Sequence, residues 1–138
     1  MKHHEPVTKI MSRNLVTVHH GDPISKVRKL IREHGLHHVP VVSGDQLVGL
    51  ISWADMLRVS LGAFGADERA VDAALDHTMS IEQLMSTDMT TISEHGTIRE
   101  AAELLAAGTF HSLPVVSGRK LVGMVTTTDL VRYLVQQF

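Results

Sequence analysis

Apolar residues at Ile24, Val27, Leu30 and Ile31 fall at i, i+3, i+6 and i+7, and the same spacing returns at Ile98, Ala101, Leu104 and Leu105. Stripes of this period predict two amphipathic helices. A short apolar stretch precedes each, at residues 15–18 and 89–92, and reads as a strand. Asp22-Pro23 opens the first helix, with Pro23 expected at the first helical position, and Gly96-Thr97 opens the second. Two apolar runs then flank a Ser-Gly pair with a polar tip, Gly44-Asp45-Gln46 and Gly118-Arg119-Lys120, which is the signature of a hairpin. A closing helix is expected from residue 52 to about 61, and from 126 to the C-terminus. The predicted order is β-α-β-β-α, twice.

The two halves are copies offset by 74 positions. Met11-Ser12 returns as Met85-Ser86, Pro40-Val41-Val42-Ser43-Gly44 as Pro114-Val115-Val116-Ser117-Gly118, and Leu47-Val48-Gly49 as Leu121-Val122-Gly123. Asp55, Arg58 and Phe64 return as Asp129, Arg132 and Phe138, with no gap needed from residue 10 to 64. The expected domains are a first repeat at 5–64, a connecting segment at 65–80 and a second repeat at 81–138. One half alone buries little, so the halves are expected to pack through their strand faces. Within the connecting region, Val71, Ala74 and Leu75 share one helical face, which predicts an extra helix over residues 67–77. Ser80-Ile81-Glu82-Gln83 has the form of a capping box and predicts a short helical turn after it.

Composition narrows the chemistry. The formal charge is −2 in 138 residues, which leaves no electrostatic footprint for nucleic acid. There is no cysteine, so disulfides and thiolate sites are excluded. No apolar stretch approaches the ~20 residues of a membrane helix, and the default location is the cytoplasm. Ten histidines stand against five aromatic residues, an excess that allows metal, pH or phosphate roles.

One element carries candidate chemistry at the same place in both copies: Ser52-Trp53-Ala54-Asp55 and Thr126-Thr127-Thr128-Asp129. It follows a strand and opens a helix. One reading is a capping box that satisfies N–H groups of the first turn. The other uses the same geometry for a ligand. A helix N-terminus favours phosphate, and a carboxylate there can accept both hydroxyls of a ribose.

Pro-Val-Val-Ser-Gly, Leu-Val-Gly and Ser/Thr-x-x-Asp, in two copies, resemble a tandem pair of CBS domains, a Bateman module. The resemblance implies an α+β (α/β) fold of two pseudo-symmetric repeats packed through their sheets. It further implies clefts between them that take AMP, ADP, ATP or S-adenosylmethionine as regulatory ligands, no required cofactor, and a homodimer. It places Asp55 and Asp129 on ribose hydroxyls, with Ser52 and Thr126 beside the ribose-phosphate. His37, His38 and His111 fall where residues of related kinase regulatory subunits approach phosphates, and Ser112 departs from that pattern. The base beside Asp55 is expected to meet Thr90 and Phe110, and the base beside Asp129 to meet Val16 and Leu36.

Neighbouring strand residues face opposite ways, so His37 and His38 are poor partners in one metal site. A hydrogen-bonding or packing role for His37 and His111 stands beside the phosphate role, and the remaining histidines read as solvated. Arg58 and Arg132 are expected to pair with the aspartates three residues earlier. Gly49 and Gly123 allow close approach of a ligand or another backbone. Trp53 is open between a nucleotide edge and a dimer interface. No nucleophile elbow or phosphate-cradling glycine loop supports catalysis. The expectation is a non-enzymatic nucleotide sensor acting on a protein partner in trans. A ligand-free dimerising scaffold and a histidine-based metal sensor are the alternatives.

Overall fold

The computed structural model describes residues 4–60 and 67–138. Its strands and helices form a mixed α/β arrangement whose described residues divide into two compact units, one within 16–89 and one made of those up to 15 together with 90–138.

In the unit of residues 16–89, β1 (Val18–His19) runs parallel to β2 (His38–Ser43), and β2 pairs antiparallel with β3 (Gln46–Ser52). The β2–β3 loop is Gly44-Asp45, in which Gly44 has φ +63°, and among the described residues only glycines have positive φ. A single left-handed glycine at the first loop position is the requirement of a type II′ turn, whose twist suits a hairpin. α1 (Ile24–His34) precedes β2 and ends on Gly35 at φ 62°. α2 (Trp53–Ser60) follows β3 directly, and α3 (Glu68–Thr78) and the short α4 (Ile81–Leu84) complete the unit. Val18, Ile24, Val27, Val39, Val41, Ile51 and Ile81 form the floor of its core.

The other unit repeats the plan. β4 (Ile92–Ser93) runs parallel to β5 (Ser112–Ser117), which pairs antiparallel with β6 (Lys120–Thr126). α5 (Ile98–Ala107) and α6 (Thr127–Gln137) flank the hairpin. The N-terminal segment belongs to this unit: Val7 is fully buried in its core beside Met11, Leu113, Val115 and Val125. The Val7 N–H donates to the Gly96 carbonyl at 2.9 Å, and the Ile98 N–H to the Glu5 carbonyl at 2.8 Å. The Tyr133 hydroxyl of α6 donates to the Glu5 carboxylate, which Lys9 also meets at 2.6 Å.

The recurring Met-Ser pair now has a physical account. Ser12 exchanges two backbone hydrogen bonds with Met124 of β6, at 2.8 and 3.0 Å, and Ser86 does the same with Leu50 of β3, at 2.8 and 3.0 Å. The methionine before each serine lies over the strand glycine. A Cβ on Gly49 would stand 2.5 Å from Met85 Sδ, and one on Gly123 would stand 2.4 Å from Met11 Sδ and 3.1 Å from the Ser12 carbonyl oxygen. The close approach expected at these glycines is therefore that of a methionine, joined at Gly123 by backbone.

Several boundaries differ from the sequence reading. The strands expected at 15–18 and 89–92 form their ladders at Val18–His19 and Ile92–Ser93, because only there does the chain run beside β2 and β5. Pro23 is the N-cap of α1 rather than its first residue: its φ of −73° suits a helix, but its ψ of 153° is extended. The inserted helix starts one residue later than expected, with Asp67 as its cap accepting the Ala70 N–H at 2.8 Å. The capping box at Ser80 and Gln83 is present as expected. Leu61 and Phe64, expected in the first repeat, lie outside the described residues.

Candidate functional site

Each Ser/Thr-x-x-Asp element sits where a hairpin feeds a helix. In the first copy the Ser52 hydroxyl accepts the Asp55 N–H at 3.0 Å, and the Asp55 carboxylate accepts the Ser52 N–H at 3.1 Å. In the second, Thr126 accepts the Asp129 N–H at 3.1 Å and Asp129 accepts the Thr126 N–H at 2.8 Å. Both are reciprocal capping boxes, so the capping reading holds in each copy.

The caps leave chemical capacity. The side chains of Asp55 and Asp129 are 24% and 16% exposed. One oxygen of each takes the cap N–H, and the other faces an arginine: Arg58 at 3.1 Å from Asp55 Oδ1, Arg132 at 3.6 Å from Asp129 Oδ1. These are the i, i+3 pairs expected from the sequence. Since every carboxylate oxygen has two lone pairs, each aspartate retains sites for hydroxyl donors.

The pre-proline histidines meet the same helix starts through their backbone. The His37 carbonyl accepts the Trp53 N–H at 2.8 Å, and the His111 carbonyl accepts the Thr127 N–H at 2.9 Å. Across the hairpins His38 is in register with Ser52, and Ser112 with Thr126. Sequence positions fifteen or so apart are thereby gathered at one hairpin end in each unit. Two N–H groups of each first helical turn are already satisfied inside the protein, which narrows what either helix start can offer a phosphate. The imidazoles of His37 and His111 are exposed, His38 is half-buried, and Ser112 is buried.

Of the apolar site positions, Val16 and Leu36 are half-buried in the unit that carries Asp55, and Thr90 (exposed) and Phe110 (half-buried) belong to the unit that carries Asp129. Leu36 and His37 also line a groove of about 430 Å³ within their unit, together with Ile31, Trp53, Met56 and Leu57. Trp53 is 49% exposed on that groove.

Two features were not singled out from the sequence. Val131, Leu134, Val135 and Phe138 are all exposed on α6 and beyond its end. Their spacing of i, i+3, i+4 and i+7 puts them on one face. The second feature is the set of arginines on α1 that pair with α3 (Arg28 and Arg32). Among the described residues, no three His, Asp or Glu side chains are grouped so as to hold a metal ion, and no helix is long and apolar enough to cross a membrane.

The comparisons with known proteins follow the same duplication. The family model described as the CBS domain matches twice, at residues 7–62 and 81–136. Protein MJ1404 of Methanocaldococcus jannaschii is 28% identical over 132 residues, a match covering 93% of this chain and 31% of that protein. The chain thus spans under a third of that curated relative's length. The crystal structure of the CBS domain pair of protein MJ0100, in complex with 5′-methylthioadenosine and S-adenosyl-L-methionine, is similar with a TM-score of 0.73 and 25% identity, covering 94% of this chain and 98% of that one. That of CBSX2 in complex with AMP has a TM-score of 0.79 and 24% identity, covering 96% and 98%. A doubled family match, on the same two copies that carry the hairpins and the Ser/Thr-x-x-Asp caps, shows that the chain belongs to the CBS-domain family and holds a CBS domain pair, a regulatory module.

Proposed function

We propose that this CBS pair is a sensor for an adenosine-type ligand, AMP, ADP, ATP or S-adenosylmethionine, and signals its occupancy to a protein partner in trans. The observation that carries the reading is the pair of partly exposed aspartates, Asp55 and Asp129, each fixed by its own capping box. A capped carboxylate is held in one rotamer before a ligand arrives, so the ordering cost of a ribose contact is reduced. The ribose hydroxyls donate to Asp55 or Asp129, with Ser52 or Thr126 beside the ribose-phosphate. His37, His38 and His111 are assigned to the phosphates or, for S-adenosylmethionine, to the polar tail. Val16, Leu36, Thr90 and Phe110 are assigned to the base. The bound state of the similar MJ0100 pair, which holds methylthioadenosine and S-adenosylmethionine, supports the ligand class. Signalling then needs only that the ligand favour one conformation of the module over another, and that the partner distinguish them. No residue is assigned a catalytic role.

The test is a thermal-shift panel of AMP, ADP, ATP, NAD and S-adenosylmethionine on the purified protein. At a ligand concentration 100 times Kd, stabilisation is about 2.7 kcal/mol, which is a rise of several degrees in Tm. No shift with any of the five, in folded protein, overturns the reading.

We also propose that the chain forms a homodimer in which the exposed stripe of α6 is covered. Val131, Leu134, Val135 and Phe138 form a continuous apolar row of the kind that marks interaction surfaces. Sedimentation of wild type and of Val131→Lys/Val135→Lys decides it: a wild-type dimer and a monomeric variant are expected. A dimer that survives both lysines removes α6 from the interface.

A further inference from the structure

α3 lies in the segment that joins the two repeats, and it carries a row of carboxylates. Glu68, Asp72 and Asp76 are spaced i, i+4 and i+8, so they line one side of the helix. All three meet α1, in antiparallel order. The Asp76 carboxylate accepts the Ser25 N–H at 2.8 Å. Asp72 accepts from the Arg28 guanidinium. Glu68 accepts from Arg28 at 3.0 Å and from Arg32 at 3.1 Å. Beside this ridge, Val71 and Leu75 are buried in the core.

The arrangement answers a local need of α1. Its N-cap is Pro23, which has no side-chain hydrogen bond to give, and its first turn has no acidic residue. Asp76 supplies the missing acceptor from another helix. α5, at the same place in the other repeat, caps itself through Thr97, whose hydroxyl accepts the Glu100 N–H at 3.1 Å. The positions matching Arg28 and Arg32 there are Ala102 and Ala106. The arginines that dock α3 are therefore particular to α1 and have no counterpart on α5.

The same residues border the groove of about 430 Å³ described above. Arg28, Arg32 and Glu68 stand along it, with Leu36, Trp53 and Leu57 among its apolar lining. We infer that α3 is a detachable gate on this groove, latched to α1 by Glu68, Asp72 and Asp76. Weakening the latch frees α3 and opens the groove, while the body of the repeat remains folded. Val71 and Leu75 anchor α3 in the core, and the three carboxylates fix its register and keep it shut. The Glu68 pairs are exposed on the Glu68 side and screened by salt, while the Arg28–Asp72 pair is more buried and screened less. Rising ionic strength therefore loosens the gate through the Glu68 end of the latch.

Hydrogen exchange followed by mass spectrometry tests this on the full chain. The arms are wild type in low and in 1 M NaCl (roughly one-third the Debye length of 0.1 M), and the variant Glu68→Gln/Asp72→Asn/Asp76→Asn. About three- to tenfold faster exchange is expected in α3 and the first turn of α1, in the variant and in wild type at high salt. Exchange in α5 stays unchanged. The emission of Trp53, the sole tryptophan, shifts to the red in the same samples, because it lies on the groove. The charge-swapped pair Arg28→Asp/Asp72→Arg restores protection relative to Asp72→Arg alone. Unchanged exchange in α3, or acceleration spread equally over α5, overturns the proposal, as does a swap that gives no recovery. Nucleotide binding enters none of these readouts, so their outcome is independent of the ligand reading.

Discussion

The two repeats start their first helices by different means and their second helices by the same means. α1 begins on a proline and borrows an acceptor from Asp76, whereas α5 begins on Thr97 and caps itself. α2 and α6 both begin with a hydroxyl and an aspartate closing the same box. At the starts of these helices, the divergence lies where an extra helix leans. The geometry at the candidate ligand site is shared. A duplicated fold can therefore take up an extra helix against one helix start and leave the capped start of the next helix untouched.

The largest effects expected from breaking this comparison lie where the copies are tightest. Gly49→Val and Gly123→Val each drive a side chain into a methionine, and overpacking of this kind costs about 1–3 kcal/mol. Gly123→Val is expected to cost more in urea denaturation, because the Ser12 carbonyl stands 3.1 Å from its Cβ position as well. Equal losses would show that the methionines alone set the cost. Next come the caps. Ser52→Ala and Thr126→Ala each remove a cap acceptor and are expected to cost about 1 kcal/mol, in equal measure. Thr97→Ala is expected to cost the same, whereas Pro23→Ala leaves the Asp76 cap in place and costs less. Matched losses at 97 and 23 would dissolve the contrast between α1 and α5.

A smaller and pH-dependent contrast belongs to the unit that includes the N-terminus. The hydrogen bond to the Glu5 carboxylate, then burial, raise the Tyr133 hydroxyl above its ordinary pKa of 10.0. Its contribution is therefore full below pH 10.0 and is lost as pH rises through the raised value in the folded protein. Melting curves of wild type and Tyr133→Phe are expected to differ at neutral pH and to converge at strongly alkaline pH. A constant gap would contradict the link. The smallest effects are expected from Arg58→Ala and Arg132→Ala, about 0.2–0.5 kcal/mol at i, i+3 spacing, with the 3.1 Å pair of Arg58 above the 3.6 Å pair of Arg132.

What was legible in the sequence is what local physics encodes. The hairpin tips show in Ser-Gly, since only glycine takes positive φ there without strain. The helix starts show in Ser-x-x-Asp and Thr-x-x-Asp, whose partners lie three residues away. The parts misplaced or missed depend on distant partners. β1 and β4 are located by β2 and β5 rather than by their own apolar residues, which explains the shift of each ladder. Nothing local links Asp72 to Arg28 until α3 is laid along α1. Met11 and Met85 recur visibly, but nothing local says that each covers a glycine far along the chain. The stripe on α6 has a helical period, but its exposure is a tertiary fact.

Isothermal titration calorimetry of S-adenosylmethionine and AMP into wild type, Asp55→Ala, Asp129→Ala and the double variant tests the central claim most directly. Binding by wild type, weakened about tenfold or more by at least one single change and abolished by both, is the expected result, since each good charge-assisted hydrogen bond is worth about 1.5–3 kcal/mol. Equal affinity in wild type and a folded double variant would mean that Asp55 and Asp129 are helix caps and nothing more.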